Sequence, residues 1–229
     1  MENYTYIQKN INDVKSEIDG YEKKYGRKIT LVAVTKSGTD DELVELVRAG
    51  ADNIGENRPG ELKRRGELLA EHGLCPTLHE IGNLQRNKVK YIIDKVSLIH
   101  SLDSISLAEE IEKQAAKLSR CVHVLIEINS GREENKGGVV PELAEEFFLE
   151  LKKFPHLCVS GLMTMGPVCE NPEDSRKYFR LTKELYCYLG DKYGWCGDGI
   201  LSMGMSDSYR VAIEEGSTLV RIGRRLFVK

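Results

Sequence analysis

The stretch ITLVAVTKSGTDDELVELVRAGADNIGE, residues 29–56, decides the fold. It opens with a run that is apolar at nearly every position, which is typical of a parallel strand buried on both faces. The helical pattern DDELVELVRAG follows, with Asp40 as its predicted N-cap, and ADNIGE forms a second short strand. A strand, a helix and a strand in this order predict a parallel βαβ unit, because parallel neighbours need a long connection.

The same alternation continues along the chain. Further strand-like runs are TLHEIGN, SLIHSLD, VHVLIEIN, CVSGLMTM, ILSMGM and STLVRIG, and helical patterns such as NKVKYIIDK and SDSYRVAIEEG lie between them. Eight strands and seven intervening helices, preceded by an amphipathic helix, fit a closed (β/α)₈ barrel better than an open, doubly wound sheet, which needs fewer strands. No linker divides the sequence, so we predict one α/β domain over residues 1–229, a TIM barrel with an extra N-terminal helix.

The composition is balanced and indicates no unusual partner. Lys and Arg number 33 against 36 Asp and Glu, for a net charge of −3, so we expect neither nucleic acid nor a membrane surface as partner. The basic cluster Lys63-Arg64-Arg65 is expected to be a solvated helix face. No window approaches a membrane span, and the polar N-terminal region lacks the apolar core of a signal peptide. These features predict a cytoplasmic protein.

Cysteine and histidine are spread along the whole chain. The six cysteines show no CxxC spacing, and the five histidines show no HxxxH or His/Cys cluster. We therefore expect reduced thiols that fill core or surface positions, and no metal site.

The first strand ends in Thr35-Lys36-Ser37, and the C-terminal ends of the strands form the functional face of a (β/α)₈ barrel. Because side chains alternate along a strand, Lys36 shares the face of Val32 and Val34, and it points into the top of the barrel if those valines face inward. Partial withdrawal from water would favour the neutral amine, which can attack an aldehyde. A lysine that merely extends into solvent is the alternative.

The last two strands predict an anion site at the same end. Arg221 lies in the middle of the apolar run STLVRIG, so it needs an acceptor inside the barrel, either a structural carboxylate or part of a ligand. Gly223 ends that strand, where a missing side chain lets backbone N–H groups approach a phosphate. Ser206 is expected at a helix N-terminus, which favours an anion. These positions indicate a phosphate cradle that faces a Schiff-base lysine at Lys36.

Several longer motifs carry a family resemblance. LVAVTK, NIGEN, HEIGNLQRNK, VLIEIN, VSGLMTM and LSMGMSDSYRVAIEEGSTLVRIG occur in this order over nearly the whole chain. They resemble the pyridoxal phosphate homeostasis proteins, which are single-domain relatives of the alanine racemase barrel. The resemblance implies a (β/α)₈ barrel that holds pyridoxal 5′-phosphate (PLP) in aldimine linkage to Lys36.

The resemblance also implies the remaining cofactor contacts. Asn57 would lie near PLP, and Arg221 would face the pyridine nitrogen. Ser206 and the backbone of Gly223 and Arg224 would bind the phosphate.

The sequence departs from the family pattern at three places. Arg224 stands where a small hydroxyl residue is usual, so its guanidinium either replaces a phosphate contact by charge or turns to solvent. In the same region Arg225-Leu226 stands where an apolar pair is usual. Glu80 stands where an aromatic residue is usual, and the segment RPGELKRR after NIGEN also differs from the usual pattern.

A non-catalytic carrier is the function that this resemblance implies. In alanine racemase a second acid/base comes from an additional C-terminal domain, whereas this sequence ends at Lys229, directly after the eighth strand. We predict a protein that stores PLP on Lys36 and delivers it to PLP-dependent apo-enzymes by transimination. Two alternatives stay open: a racemase-type PLP enzyme whose second base comes from a loop or a partner subunit, and an aldolase that uses Lys36 on a phosphorylated sugar without a cofactor.

Overall fold

The computed structural model describes residues 4–229, and its strands close into a parallel barrel. Within these residues the strands follow chain order around the barrel: β1 (Thr30–Val34), β2 (Asn53–Glu56), β3 (Thr77–Glu80), β4 (Leu98–Leu102), β5 (Val122–Glu127), β6 (Leu157–Met163), β7 (Ile200–Ser202) and β8 (Leu219–Ile222). The barrel closes where β8 pairs with β1, with Val32 opposite Arg221 and Ala33 opposite Ile222. The predicted (β/α)₈ barrel is confirmed, and the open sheet is not.

Helices surround the barrel. They are α1 (Thr5–Tyr25), α2 (Asp40–Arg48), α3 (Pro59–Glu71), α4 (Ile105–Lys117), α5 (Ala144–Leu151), α6 (Arg176–Tyr193) and α7 (Tyr209–Glu214). Short 3₁₀ helices lie at Arg86–Tyr91, Pro141–Leu143, Pro172–Ser175 and Arg224–Leu226. Over residues 4–229 no helix is both long enough and apolar enough to cross a membrane.

The N-terminal helix α1 takes the place of an eighth outer helix. Its apolar residues, which include Ile7 and Ile11, are fully buried and pack with residues of β1, α2 and β8. A 3₁₀ helix of three residues follows β8, and α1 contacts it directly. On the other side, the hydroxyl of Tyr209 in α7 donates to Glu17 of α1. The predicted extra helix therefore completes the outer layer.

The barrel interior is small and apolar at its centre. Val32, Leu98, Leu125, Met163 and Leu219 form this inner cluster, while larger clusters lie between the strands and the helices. Because side chains alternate along strands, the inward position of Leu219 also places Arg221 inside the barrel.

Two local expectations are wrong. The segment NKVKYIIDK does not form an α-helix, because its buried Val89 and Ile92 are three residues apart, which suits the 3₁₀ turn closed by Ile92 N and Val89 O at 3.1 Å. The N-cap of α2 is Thr39 instead of Asp40, because Thr39 and Glu42 form a reciprocal capping box.

Candidate functional site

The predicted site residues lie at the C-terminal ends of neighbouring strands. Lys36 follows β1, Asn57 follows β2, and Ser206 follows β7. Gly223 and Arg224 follow β8 directly. Since β1 is paired with both β2 and β8, the fold gathers these loops around one mouth of the barrel.

Lys36 lies in a tight turn beyond the end of β1. The turn is closed by Gly38 N, which donates to Thr35 O at 2.9 Å. The strand ends at Val34, so the turn lifts Lys36 out of the barrel wall, and its side chain is exposed. The expected partial withdrawal from water is therefore wrong in this structure, and the amine is open to an approaching aldehyde.

Arg65 of α3 anchors the turn that carries Lys36. Its Nη1 bonds Glu56 Oε1 at 2.7 Å and also donates to Thr35 O, while its Nη2 donates to Gly38 O at 2.9 Å. The Thr35 hydroxyl donates to the same carboxylate of Glu56. The buried guanidinium of Arg65 thus binds the carbonyls of Thr35 and Gly38, which lie before and after Lys36 in the chain.

The burial of Arg65 corrects the prediction of a solvated basic face. Arg65 is only 7% exposed, whereas its neighbour Arg64 is exposed and pairs with Asp40 at 2.7 Å. The sequence did contain a signal, because Arg65 lies three residues after Leu62 and four before Leu69, both of which are buried. Those spacings place it on the apolar face of α3.

The loops after β7 and β8 contact each other through Ser206 and Gly223. The Ser206 hydroxyl accepts a hydrogen bond from Gly223 N at 3.2 Å. A side chain at position 223 would bring Cβ within 3.1 Å of Val34 O and 3.2 Å of Val34 Cβ. The glycine therefore allows the end of β8 to lie against the end of β1, beside the Lys36 turn.

Ser206 does not cap a helix as predicted. It lies in a turn, and α7 begins three residues later at Tyr209. The turn is closed by Ser208 N and Tyr209 N, which both donate to Met205 O, at 3.0 and 2.8 Å. Ser208 occupies the N-cap position, and its hydroxyl accepts from Met205 N at 3.3 Å. Ser206 is thereby left to contact β8.

Arg224 lies on the rim of the mouth. Its side chain is exposed and pairs with Asp207 of the loop after β7. The guanidinium thus links the loops after β7 and β8 on the solvent side. A contact of Arg224 with a phosphate stays a prediction.

Arg221 is buried inside the barrel, as expected, and its acceptors within the described residues are a hydroxyl and a backbone carbonyl instead of a carboxylate. Its Nη2 donates to Thr164 O at 3.0 Å, and its Nη1 donates to the hydroxyl of Ser202. Burial lowers the pKa of Arg221 to about 10, partly offset by the charge of Glu127. The guanidinium remains a cation that can only donate.

A polar chain continues from Ser202 across the barrel interior. Ser202 Oγ lies 3.1 Å from His100 Nδ1, His100 Nε2 lies 3.0 Å from His79 Nδ1, and His79 Nε2 lies 3.2 Å from Asn53 Oδ1. Burial lowers the pKa of His79 to about 4 and that of His100 well below its usual value. Both rings are therefore neutral, and His79 is a core residue with a partner on each ring nitrogen.

Glu127 and Asn57 open onto two cavities near the mouth. Glu127, at the end of β5, lines a cavity of about 180 Å³ together with Asn83 and Lys136. Burial, reinforced by the charge of Asp103, raises the pKa of Glu127 to about 7. Asn57 lines a separate cavity of about 750 Å³, whose lining does not include Lys36. Sequence reasoning overlooked Glu127, although its place at a strand end was the available signal.

The departure at Glu80 has a structural consequence. The side chain is fully buried, its Oε1 accepts from Gly82 N at 3.1 Å, and its Oε2 has no partner in the described residues. Burial, with a further contribution from Glu56, raises the pKa of Glu80 to about 8. Glu80 is therefore largely protonated at neutral pH.

The structure brings one histidine and two cysteines together, although the sequence shows no His/Cys cluster. His123, Cys158 and Cys196 converge, with ligand atoms within 4.8 Å of one another. They were missed because they come from three separate strands or loops, which no linear spacing connects.

The barrel, with an amine after its first strand and a serine–glycine contact between its last two loops, is of the alanine racemase class. The family described as the N-terminal domain of alanine racemase matches residues 5–228. The chain is also similar to the pyridoxal phosphate homeostasis protein of Aquifex aeolicus, at 47% identity over 86% of this chain and 85% of that protein. It belongs to the pyridoxal phosphate homeostasis protein family.

Two solved structures illustrate the similarity. PipY of Synechococcus elongatus with PLP bound has a TM-score of 0.84 and 25% identity, covering 97% of this chain and 100% of that one. Alanine racemase of Clostridium difficile 630 in complex with cycloserine has a TM-score of 0.79 at 17% identity, covering 98% of this chain and 60% of that one. The second similarity shows the fold alone.

Proposed function

We propose that this chain binds PLP reversibly through Lys36 and thereby buffers the level of free cofactor. The observation that carries this proposal is an exposed amine on an anchored turn, set beside the Ser206–Gly223 contact at one mouth of the barrel. The name of the relative from A. aeolicus and the PLP bound to PipY support the same assignment.

The donor groups fit the cofactor. PLP carries an aldehyde, a phosphate and a pyridine nitrogen, and it supplies an electron sink when bound to an amine. Lys36 would hold the aldehyde carbon, Arg221 would donate to the pyridine nitrogen, and Asn57 would lie by the ring. The Ser206 hydroxyl and the N–H groups of Gly223 and Arg224 would donate to the phosphate.

We propose storage and delivery instead of turnover. Arg221 can only donate a hydrogen bond, so it would keep the pyridine nitrogen unprotonated and weaken the electron sink. Relatives named as homeostasis proteins support this role. The proposal includes release of PLP to apo-enzymes when an incoming amine displaces Lys36, and a cytoplasmic location, which the six free thiols support.

Glu127 favours a second candidate function, a PLP-dependent enzyme that acts on an amino acid. A carboxyl with a pKa of about 7 near the barrel mouth is suited to move a proton at neutral pH. In this alternative the second base comes from the chain itself. It predicts exchange of the Cα proton of an amino acid with D₂O, and loss of that exchange in Glu127→Gln.

Cofactor loading tests the main proposal. Wild type, Lys36→Ala and Lys28→Ala are incubated with PLP, freed of excess, and measured by visible absorbance. Lys28 is a matched control because it is another exposed lysine, paired only with Glu22 on the surface. We expect wild type and Lys28→Ala to retain the absorbance of the lysine-bound cofactor, and Lys36→Ala to lose it.

Either of two results would overturn the proposal: a wild type that cannot be loaded, or a Lys36→Ala variant that loads as wild type does. A loaded wild type that also exchanges the Cα proton of an amino acid, through Glu127, would replace the carrier by the enzyme.

A further inference from the structure

A cluster of soft ligands lies at the barrel end opposite Lys36. His123 is the second residue of β5 and Cys158 the second residue of β6, and the two are direct neighbours in the parallel register. Cys196 lies in the loop before β7, where its N donates to Val159 O at 3.0 Å. One ligand atom from each of the three residues lies within 4.8 Å of the others.

A third thiol adjoins this cluster. Cys121, the residue before β5, interacts with the thiol of Cys158, as Cys196 does. The Cys121 thiol has a further partner, because it donates to Pro155 O at 3.8 Å.

The orientation of His123 suits a ligand. The hydroxyl of Ser160 donates to Cys158 O at 3.3 Å, and its oxygen lies 2.8 Å from His123 Nδ1. With the Ser160 proton on Cys158 O, Nδ1 donates to Ser160, and this tautomer of His123 leaves the lone pair on Nε2. Metal-binding histidines are commonly fixed in this way, with one nitrogen bonded to the protein and the other to the metal.

We propose that His123, Cys158 and Cys196 bind one thiophilic divalent cation of the Zn²⁺ type. Imidazole and thiolates are the donors that zinc sites in proteins use. Such an ion would join β5, β6 and the loop before β7 at the N-terminal end of the barrel. It requires no PLP and lies away from the Lys36 mouth.

Metal titration of the full, tag-free chain tests this proposal. The reduced protein is stripped with a chelator and titrated with Zn²⁺, measured by elemental analysis, and with Co²⁺, measured by the visible bands of tetrahedral thiolate coordination. Trp195, the one tryptophan of the sequence, adjoins Cys196 and stacks on Tyr186. Its fluorescence therefore provides an independent signal.

We expect wild type to bind about one equivalent of Zn²⁺ per chain. Cys158→Ser and Cys196→Ser should bind it more than about tenfold more weakly. Cys75→Ser removes an exposed thiol elsewhere and should bind as wild type does. PLP loading of the Cys158 and Cys196 variants shows that they are folded.

Three results would overturn the proposal. The first is reduced wild type that takes up no metal, and the second is Cys158→Ser and Cys196→Ser variants that bind metal with wild-type affinity. The third is a Cys158–Cys196 disulfide in protein without metal, which would assign the pair to thiol oxidation instead.

Discussion

Arg65 shows how much one buried side chain contributes to the position of a reactive lysine. Its guanidinium binds Glu56 and the carbonyls of Thr35 and Gly38, and the side chain is almost fully buried. Removing one partner of a buried ion pair leaves the other charge without compensation. The side chain of Lys36 does not belong to this network. Arg65 and Glu56 therefore affect Lys36 only through the backbone of its turn.

Arg65→Met should therefore impair both stability and cofactor loading. We expect a loss of about 3 kcal/mol in the free energy of unfolding, because the carboxylate of Glu56 stays buried. PLP affinity should fall by roughly tenfold as the Lys36 turn loosens. Urea unfolding and PLP titration measure the two effects separately.

Arg64→Met is the matched control, since Arg64 is the neighbouring residue and its pair with Asp40 is exposed. It should change stability by less than about 1 kcal/mol and leave PLP affinity unaltered. Equal effects of the two variants on PLP affinity would show that Arg65 does not position the turn.

Glu80 should make stability depend on pH. Its folded-state pKa of about 8 exceeds its ordinary value of 4.5, so the folded state keeps a proton that the unfolded chain releases. The resulting stability is fully present below pH 4.5 and is lost as the pH rises to about 8. Glu80→Gln, which mimics the protonated form, should remove this decline, which amounts to about 5 kcal/mol over the whole range.

Chemical denaturation of wild type and Glu80→Gln over a pH series measures this difference. Parallel pH profiles for the two proteins would mean that Glu80 ionises normally despite its burial.

At the scale of elements, the loops after β7 and β8 work as one unit. Ser206 accepts from Gly223 N, and Arg224 pairs with Asp207 across the same two loops. Neither loop is at the N-terminus of a long helix, so the proposed phosphate contacts depend on individual N–H and hydroxyl donors. Removing one of these donors should then weaken binding of the phosphate without changing the contacts to the rest of the cofactor.

Ser206→Ala should weaken binding of PLP but not of pyridoxal, which lacks the phosphate. The expected loss is about tenfold for PLP, equivalent to one hydrogen bond to a charged group. Titration of both aldehydes, detected by absorbance, gives the two affinities. An equal loss for both would place Ser206 away from the phosphate.

The helix α1 belongs to the fold and is not an appendage. Ile11 is fully buried in the cluster that α1 shares with β1, α2 and β8. Ile11→Ala should cost about 3 kcal/mol of stability, whereas Lys9→Ala, on the exposed face, should cost less than about 0.5 kcal/mol. Thermal or urea unfolding measures both, and a neutral Ile11→Ala would mean that α1 is dispensable for the barrel.

At the scale of the whole molecule, the strand pattern was sufficient to predict the architecture. Each strand is a short apolar run between turn residues, and for that reason buried parallel strands can be predicted from the sequence. The extra helix could also be predicted, but its role could not, because nothing local to residues 5–25 indicates that they pack with β1, α2 and β8.

The site was predictable only where strand order determines it. Lys36 and Gly223 follow neighbouring strands, so their place at the same mouth of the barrel follows from the topology. The convergence of His123 with Cys158 and Cys196 joins elements that are distant in sequence, so no linear spacing indicates it. The burial of Arg65 was readable from its spacing to Leu62 and Leu69, but its contacts with the Lys36 turn were not.

The two mouths of the barrel carry different chemistry. The C-terminal mouth holds the Lys36 amine and the proposed phosphate donors, and the N-terminal mouth holds the imidazole of His123 with the thiols of Cys158 and Cys196. The apolar centre around Leu125 and Met163 lies between them, so the chemistry of one mouth should be independent of the other.

Reduction of the loaded protein with borohydride, followed by peptide mapping, tests the central claim most directly. Borohydride fixes the cofactor on the nitrogen that held it, and mass spectrometry then locates it. The account predicts a single pyridoxyl-phosphate label on the peptide that contains Lys36. A label spread over several lysines, or confined to a lysine other than Lys36, would contradict it.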